Sequence, residues 1–246
     1  ILLIVIVILV VVGCVLGFVY FTKEKTKPII DPEEKKAIQN QEKLFSLETY
    51  PRIDGSTVTL PLAEAFKADF TGTDIKDVDV THSKTHNAYV NLINGDTDLI
   101  LVTYPSDDEQ KLAKEKGVEL EIVPIVKDAF VFFVNTENPV ESLTLEQIQG
   151  IYTVNIKNWK DVGGDNERIV AYQRPANSGS QSGMLSLVMK GKKMMDPTTE
   201  TISQTMSDIV DVISDYTNGK TAIGYSYYYY ATTMYTKDKM KLLGVN

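Results

Sequence analysis

Gln173-Arg174-Pro175-Ala176-Asn177-Ser178-Gly179-Ser180-Gln181-Ser182-Gly183 runs directly into an apolar stretch with Met184, Leu185, Leu187, Val188 and Met189. Pro175 interrupts regular structure, Asn177 to Ser180 has turn composition, and Leu185, Val188 and Met189 return at helical spacing, so the pattern predicts a helix beginning near Ser180. The first amides of such a helix have no intrahelical acceptor. With the positive end of the helix dipole and several serine hydroxyls they can converge on one anion, and Gly179 lets a ligand approach the backbone where a Cβ would otherwise stand. Arg174 adds a planar, two-pronged donor. The same composition also fits an N-capped surface helix with a solvated arginine, and the rest of the chain decides between the two.

Two further helix entrances are rich in small hydroxyl residues. Ser56, Thr57 and Thr59 precede Pro61 and a helical face of Leu62, Ala65 and Phe66; Thr81 to Thr85 follows an expected strand, Val78-Asp79-Val80, and precedes the face Ala88, Tyr89, Leu92, Ile93. Asp98 to Val102 suits a buried parallel strand, and Ser106 to Lys116 a charged helix closed by Gly117. Glu121 to Val126 and Ala129 to Asn135 both read as strands. Thr144-Leu145-Glu146-Gln147 has the form of a capping box opening a helix to Tyr152. Beyond the central stretch, Ser203 to Tyr216 reads as an amphipathic helix and Thr221 to Tyr225 as a buried strand. This alternation predicts an α/β fold with ligands at the carboxyl ends of strands, where helices begin.

Composition narrows the function. The chain has 246 residues and a net charge of −8, without the clustered Lys and Arg that hold phosphate backbones, so a nucleic-acid partner is not expected. Cys14 is the only cysteine, which leaves no disulfide and no thiolate metal site. His82 and His86 have the i, i+4 spacing of a helical metal pair but lack a third ligand, so they read as ordinary helix-entrance histidines, with no metal and no cofactor expected. Tyr225 to Tyr230, with five tyrosines, reads as a strand of alternating faces running into an aromatic edge. Gly163-Gly164 lacks the ending of a P-loop. No nucleophile and base stand in a recognisable arrangement, so the chain is not read as an enzyme.

Ile1 to Phe21 carries no charge, and the first charged residue is Lys23. That length of apolar sequence can cross a bilayer as a helix, and residues 1–22 are read as a membrane anchor or signal segment. Val11-Val12-Gly13-Cys14 resembles a lipobox, which would lipidate Cys14, but Val15 to Phe21 stays apolar and favours an uncleaved anchor. Lys23, Lys25 and Lys27 alone would place the following domain inside. Residues 23–48, charged and punctuated by proline, form a tether with one short helix expected from Asp31-Pro32.

From about Pro51 to Asn246 the sequence resembles the phosphate-binding proteins of phosphate ABC transporters, within the type 2 periplasmic binding-protein fold. Four features carry the resemblance, in order: Gly55-Ser56-Thr57 before Pro61-Leu62; Leu145, Ile148, Ile151 and Tyr152 running on to Ile156, Trp159 and Asp161; Arg174 with Ser178-Gly179-Ser180; and Ala222-Ile223-Gly224-Tyr225. The resemblance implies two α/β lobes clamping an anion, with residues 49–134 as lobe 1, 135–228 as lobe 2, and 229–246 as the start of a return to lobe 1 that continues past Asn246. It implies that Arg174, Ser178, Gly179 and Ser180 contact phosphate, with Ser180 standing where the family has threonine. It adds Ser56 or Thr57, with Thr59 in reach, from the first loop, and Ser83 or Thr85 from the second. Trp159 is expected to pack. One position departs from many relatives: where they carry an aspartate that accepts the proton of protonated phosphate, alignment on Pro105 places Thr103, so sulfate or another oxyanion is also open, and Asp107 is the nearest substitute acceptor.

The resemblance implies a monomeric, extracytoplasmic receptor held at the cell membrane that passes phosphate or a related oxyanion to ABC permease subunits. The alternatives are a ligand-sensing or adhesive module that kept the fold and lost transport, and an enzyme acting on a phosphorylated substrate.

Overall fold

The computed structural model describes residues 43–198, 201–215 and 219–246. The expected anchor at 1–22, the helix start at Asp31, most of the tether and Tyr216 lie outside the described residues. Among the described residues no helix is long and apolar enough to cross a membrane.

In chain order the elements are β1 (Ile53–Gly55), α1 (Leu60–Thr71), α2 (Thr85–Asn94), β2 (Leu99–Leu101), α3 (Asp107–Lys116), β3 (Phe130–Asn135), β4 (Ser142–Leu143), α4 (Leu145–Tyr152), β5 (Val170–Ala171), α5 (Gly179–Gly183), α6 (Met206–Asp215), β6 (Ala222–Tyr227), β7 (Met240–Leu242) and β8 (Gly244–Val245). Their contacts divide the described chain into two compact units, the smaller made of 43–50, 65–78 and 121–127 and the larger of 51–64, 79–120 and 128–246.

In the smaller unit the amides of Leu44 and Phe45 both donate to the Phe70 carbonyl, at 3.0 and 3.1 Å. Phe66 stacks on Phe70 one turn further along α1, centroids 5.6 Å apart, as i, i+4 aromatics on a helix can. Two expected strands do not form. Val78 closes the 3-10 turn Ile75–Asp77, its amide donating to the Ile75 carbonyl at 3.3 Å, and Asp79-Val80 continues as a connection. Glu121 to Val126 is also unstranded: Pro124 has no N–H to give a ladder, and Ile122, Val123 and Val126 are exposed.

In the larger unit β1 and β2 pair in parallel, Ile53 opposite Leu99 and Gly55 opposite Leu101. A 3-10 turn, Thr57–Thr59, leads from β1 into α1, whose Pro61 sits in the first turn, where a missing N–H costs no hydrogen bond. α3 starts as expected: Ser106 and Glu109 form a capping box, acidic residues fill the first turn, and Gly117 ends the helix in the left-handed region. The capping box of Thr144 and Gln147 likewise opens α4.

The larger sheet has the order β5-β6-β3-β7, with β3 antiparallel to β6 and β7 and β5 parallel to β6. β8 pairs in parallel with β4, so residues 240–245 join β3 and β4. Successive side chains of a strand point to opposite faces. Phe132 and Val134 of β3 therefore meet one cluster, with Ile148, Tyr152, Trp159, Met184 and Tyr225, while Phe133 meets Ile209, Val210 and Ile213 of α6. Trp159 packs as expected, 1% exposed, its indole N–H on the Thr221 carbonyl at 2.9 Å. The expected strand over Tyr225 to Tyr230 ends at Tyr227, after which the chain turns helical into Tyr230–Met234. β6 lies inside the sheet with both faces covered, so all six of its residues are buried. Gly224 makes this possible, since a Cβ there would stand 2.6 Å from Ile213 Cδ1 of α6.

Candidate functional site

β5 delivers the chain to Arg174, whose backbone is fixed before its side chain is considered. The Arg174 N–H is shared between Gln181 Oε1 (3.1 Å) and the Tyr225 hydroxyl oxygen (3.2 Å), and that hydroxyl donates in turn to the same Gln181 oxygen. The residue is 8% exposed. Its Nη2 donates to the Gln204 carbonyl at 3.2 Å, whereas Nε and Nη1 are buried without a hydrogen-bond partner. No carboxylate forms an ion pair with it among the described residues. Burial pulls its pKa below the usual guanidinium value, with Tyr225 and Asp208 pulling the other way. A buried guanidinium of this kind stays charged, and two unmet N–H groups cost roughly 1–3 kcal/mol each.

Past Arg174 the chain turns at Asn177, which takes a left-handed conformation, φ 66°. Ser178 caps α5, its Oγ accepting the Gln181 amide at 3.3 Å. The helix therefore begins at Gly179, one residue before the predicted start, and continues as a π-helical segment from Met184 to Met189. The amides of Gly179 and Ser180 are first and second in the helix and have no acceptor within it. Ser180 is 2% exposed and its hydroxyl makes no hydrogen bond in the protein.

Gly179 is where the strand–helix segments meet. A Cβ there would lie 2.7 Å from Thr85 Oγ1 and 3.2 Å from Thr103 Oγ1. Thr85 is the first residue of α2 and Thr103 follows β2, so both stand at the carboxyl-terminal side of the parallel pair. The Thr103 hydroxyl is buried; the Tyr227 phenol is near it, but no hydrogen bond of good geometry joins them. Tyr227 reaches the Gly179 carbonyl only at 3.5 Å, and burial, followed by Asp128, pushes its pKa up to about 12.

The remaining expected residues divide by what already holds their hydroxyls. Thr59 Oγ1 donates to the carbonyls of Leu101 (2.6 Å) and Ser56 (2.9 Å), so it ties the turn to β2. Ser83 gives its hydroxyl to Asp54 Oδ2 at 2.5 Å and its amide to Asp54 Oδ1 at 2.7 Å. Asp54 also accepts from Asn91 Nδ2 and the Gly55 amide. Burial alone would raise the Asp54 pKa, but these four donors outweigh it and hold the carboxyl below its ordinary value. Ser56 is buried with its Oγ 3.2 Å from Thr59 Oγ1, and Thr57 is exposed on the turn.

The two histidines have separate partners. His82 Nδ1 lies 2.8 Å from the Ser56 carbonyl, and His86 Nδ1 lies 3.0 Å from Oε1 of the fully buried Glu109. Among the described residues no cluster of three His, Cys, Asp or Glu could hold a metal ion. Asp107 and Asp108 are exposed in the first turn of α3, and Asp108 Oδ2 accepts from Asn177 Nδ2 at 3.0 Å.

Thr85, Thr103 and Gly179 are thus brought together, with Arg174, Ser178 and Ser180 carried by the same short loop as Gly179. Ser83 and Thr59 are engaged in the scaffold. Sequence reasoning passed over Gln181 and Tyr225 as the pair that orients Arg174, and Asp54 as the hub under the Ser83 loop. Gln181 follows Ser180 directly and Tyr225 ends the Ala222-Ile223-Gly224-Tyr225 motif, but their pairing across 44 residues has no local signal.

A sequence model of the PBP superfamily domain matches residues 49–245. The chain is 30% identical over 195 residues to the phosphate-binding protein PstS of Staphylococcus saprophyticus, covering 76% of this chain and 58% of that relative. It therefore spans somewhat over half the length of the relative it matches. Among solved structures, a putative phosphate ABC transporter substrate-binding protein with bound phosphate from Clostridium perfringens superposes with a TM-score of 0.60 at 27% identity, over 78% of this chain and 74% of that one. An ABC-type phosphate transport receptor from Vibrio cholerae shares the fold at 21% identity, with a TM-score of 0.52 over 78% of this chain and 75% of its own. With four-fifths of its length matched by that superfamily's domain and an α/β architecture of the type 2 periplasmic binding-protein kind, the chain belongs to the PBP superfamily.

Proposed function

We propose that the chain is a solute-binding protein that captures inorganic phosphate, or an oxyanion of the same shape, and presents it to an ABC importer. The observation that carries this reading is the buried Arg174 guanidinium with two unpartnered nitrogens, accompanied by the unpartnered hydroxyls of Ser180 and Thr103. These groups are donors or can act as donors. Anions are what such a set stabilises when water is excluded, because each bond to an ionised partner is stronger than its neutral counterpart. The free amides of Gly179 and Ser180 and the Thr85 hydroxyl complete the cradle, and Gly179 leaves room for backbone approach. Ser178 caps the helix at its edge, Ser56 and Thr57 are read as the first-loop hydroxyls that face it, and Thr59 and Ser83 tie the loops behind.

The relatives named for phosphate binding support the choice of ligand. We read the fold as two lobes, one built on the β1–β2 pair and one on the four-stranded sheet, closing on the anion. The uncharged run Ile1 to Phe21 supports anchoring at the membrane, and the likeness to phosphate transport receptors, set against the Lys23, Lys25 and Lys27 flank, supports the extracytoplasmic side for the binding domain. In this role the protein binds without turnover, acts as a monomer and hands its cargo to permease subunits.

The test is calorimetric titration of the whole chain in mild detergent with phosphate, sulfate and a non-hydrolysable phosphomonoester. Saturable binding of phosphate at a stoichiometry of about one is expected for a single cradle of this kind. Tighter binding of the phosphomonoester would replace the transport reading with a sensor of phosphorylated metabolites, and no binding of any of the three would end it.

A further inference from the structure

Asn177 and Asp108 belong to different parts of the larger unit. Asn177 stands in the left-handed region one residue before the Ser178 cap, and Asp108 stands in the first turn of α3, beyond β2 and Thr103. Their side chains meet in a hydrogen bond of 3.0 Å. Asp108 is not needed to start α3, because Ser106 and Glu109 already close the capping box there. Its neighbour Glu109 is fully buried, accepting the Ser106 amide at 2.8 Å and facing His86 on α2, so Asp108 projects from a fixed base. Asn177 is equally constrained, since its loop is held by the Ser178–Pro175 backbone bond and by the cap of α5.

We propose that this pair is a clasp: Asp108 and Asn177 hold the segment carrying Thr85 and Thr103 against the loop carrying Arg174 and Ser178, and so set how fast the bound oxyanion leaves. This rests on the reading of the site as an oxyanion cradle. Gly179 touches Thr85 and Thr103 only while the two segments stay together, and separating them breaks the Asp108–Asn177 bond. The bond orients the two walls and is absent from the set of groups that face the anion. Its loss therefore acts on the dissociation rate and leaves the choice between anions unchanged.

The experiment is stopped-flow binding of inorganic phosphate to the whole chain. Asn177→Gly keeps the left-handed backbone while removing the side chain, and Asp108→Ala removes the acceptor. Each is expected to raise the dissociation rate roughly three- to tenfold, the value of one hydrogen bond, with the association rate and the phosphate-to-sulfate preference unchanged. The double variant should do no more than either single one, and Asp108→Asn, whose amide oxygen still accepts, should restore the parent rate. Unfolding of one single variant is recognised from its circular dichroism, and the other then carries the measurement. An unchanged dissociation rate in both, or additive effects in the double variant, would overturn the clasp alone. A parent chain that binds no phosphate would overturn the receptor reading and the clasp with it.

Discussion

Replacing Arg174 should separate binding from stability, because the same two nitrogens that would hold an anion are a liability to the protein alone. Nε and Nη1 are buried and unpartnered, and only Nη2 is satisfied, by the Gln204 carbonyl. Two charge-assisted bonds at about 1.5–3 kcal/mol each, less what the remaining hydroxyls and amides recover, give a loss of roughly 2–5 kcal/mol for Arg174→Ala, or about 30- to 5,000-fold in Kd. Arg174→Lys should regain only part of this, since a point charge cannot make the two-pronged contact. In the ligand-free chain the sign reverses. Arg174→Met removes a desolvated cation at the cost of one bond to Gln204, so its Tm is expected to equal or exceed that of the parent by a few degrees. Calorimetric titration with phosphate, paired with thermal unfolding with and without phosphate, measures both effects. Equal phosphate affinity in parent and Arg174→Ala would remove the arginine from the site, and a ligand-free Arg174→Met that melts far below the parent would make it a structural residue.

Three other changes test the walls of the cradle. Gly179→Ala places a Cβ against Thr85 Oγ1 at 2.7 Å and Thr103 Oγ1 at 3.2 Å, and strain of about 1–3 kcal/mol should lower the melting temperature and weaken phosphate binding roughly tenfold or more; recovery of the melting temperature in the Gly179→Ala, Thr85→Ala double variant, whose affinity stays low because the Thr85 hydroxyl is gone, checks the contact. Thr103 can donate to a fully ionised oxygen, so sulfate should compete with phosphate, and Thr103→Asp should suppress that competition between pH 6 and 8 by repelling an anion that carries no proton; failure of sulfate to compete in large excess would refute it. Asp54→Asn leaves the donors around it poorly matched and should cost about 1–3 kcal/mol near neutral pH by chemical denaturation. The depressed Asp54 carboxyl contributes stability that is present above its unfolded pKa and lost as pH falls through the folded value, so the gap between parent and variant should close below about pH 4.

Local features of the chain were legible where the signal was local. The charged helix from Ser106 to its Gly117 stop, the capping box at Thr144, the helix opening after Ser178 and the buried strand after Thr221 each follow from a few adjacent residues, and the structure places them within a residue or two of their predicted limits. Errors arose where tertiary context overrode pattern. Val78 to Val80 and Glu121 to Val126 have strand composition, but one closes a turn and the other carries Pro124, and neither pairs. Tyr225 to Tyr230 has the composition of a strand running into an aromatic edge, yet the strand ends at Tyr227 and the chain turns helical, and nothing local announces that α6 covers one face of β6 while Met184, Tyr152 and Trp159 fill the other. In the site, residue types at helix entrances were enough to nominate the hydroxyls. They could not tell a free hydroxyl from a committed one. Ser83 and Thr85 look alike in sequence, and only the arrival of Asp54 from 29 residues away assigns the Ser83 hydroxyl to the scaffold.

A crystal structure of the chain grown with phosphate is the most direct test of the oxyanion cradle. The anion is expected between Arg174 and the start of α5, its oxygens within hydrogen-bond distance of Arg174 Nε and Nη1, the Ser180 hydroxyl and the Gly179 and Ser180 amides, with Thr85 and Thr103 Oγ1 on the opposite side. Phosphate bound elsewhere, or an Arg174 guanidinium still without an anion partner at saturating phosphate, would contradict it.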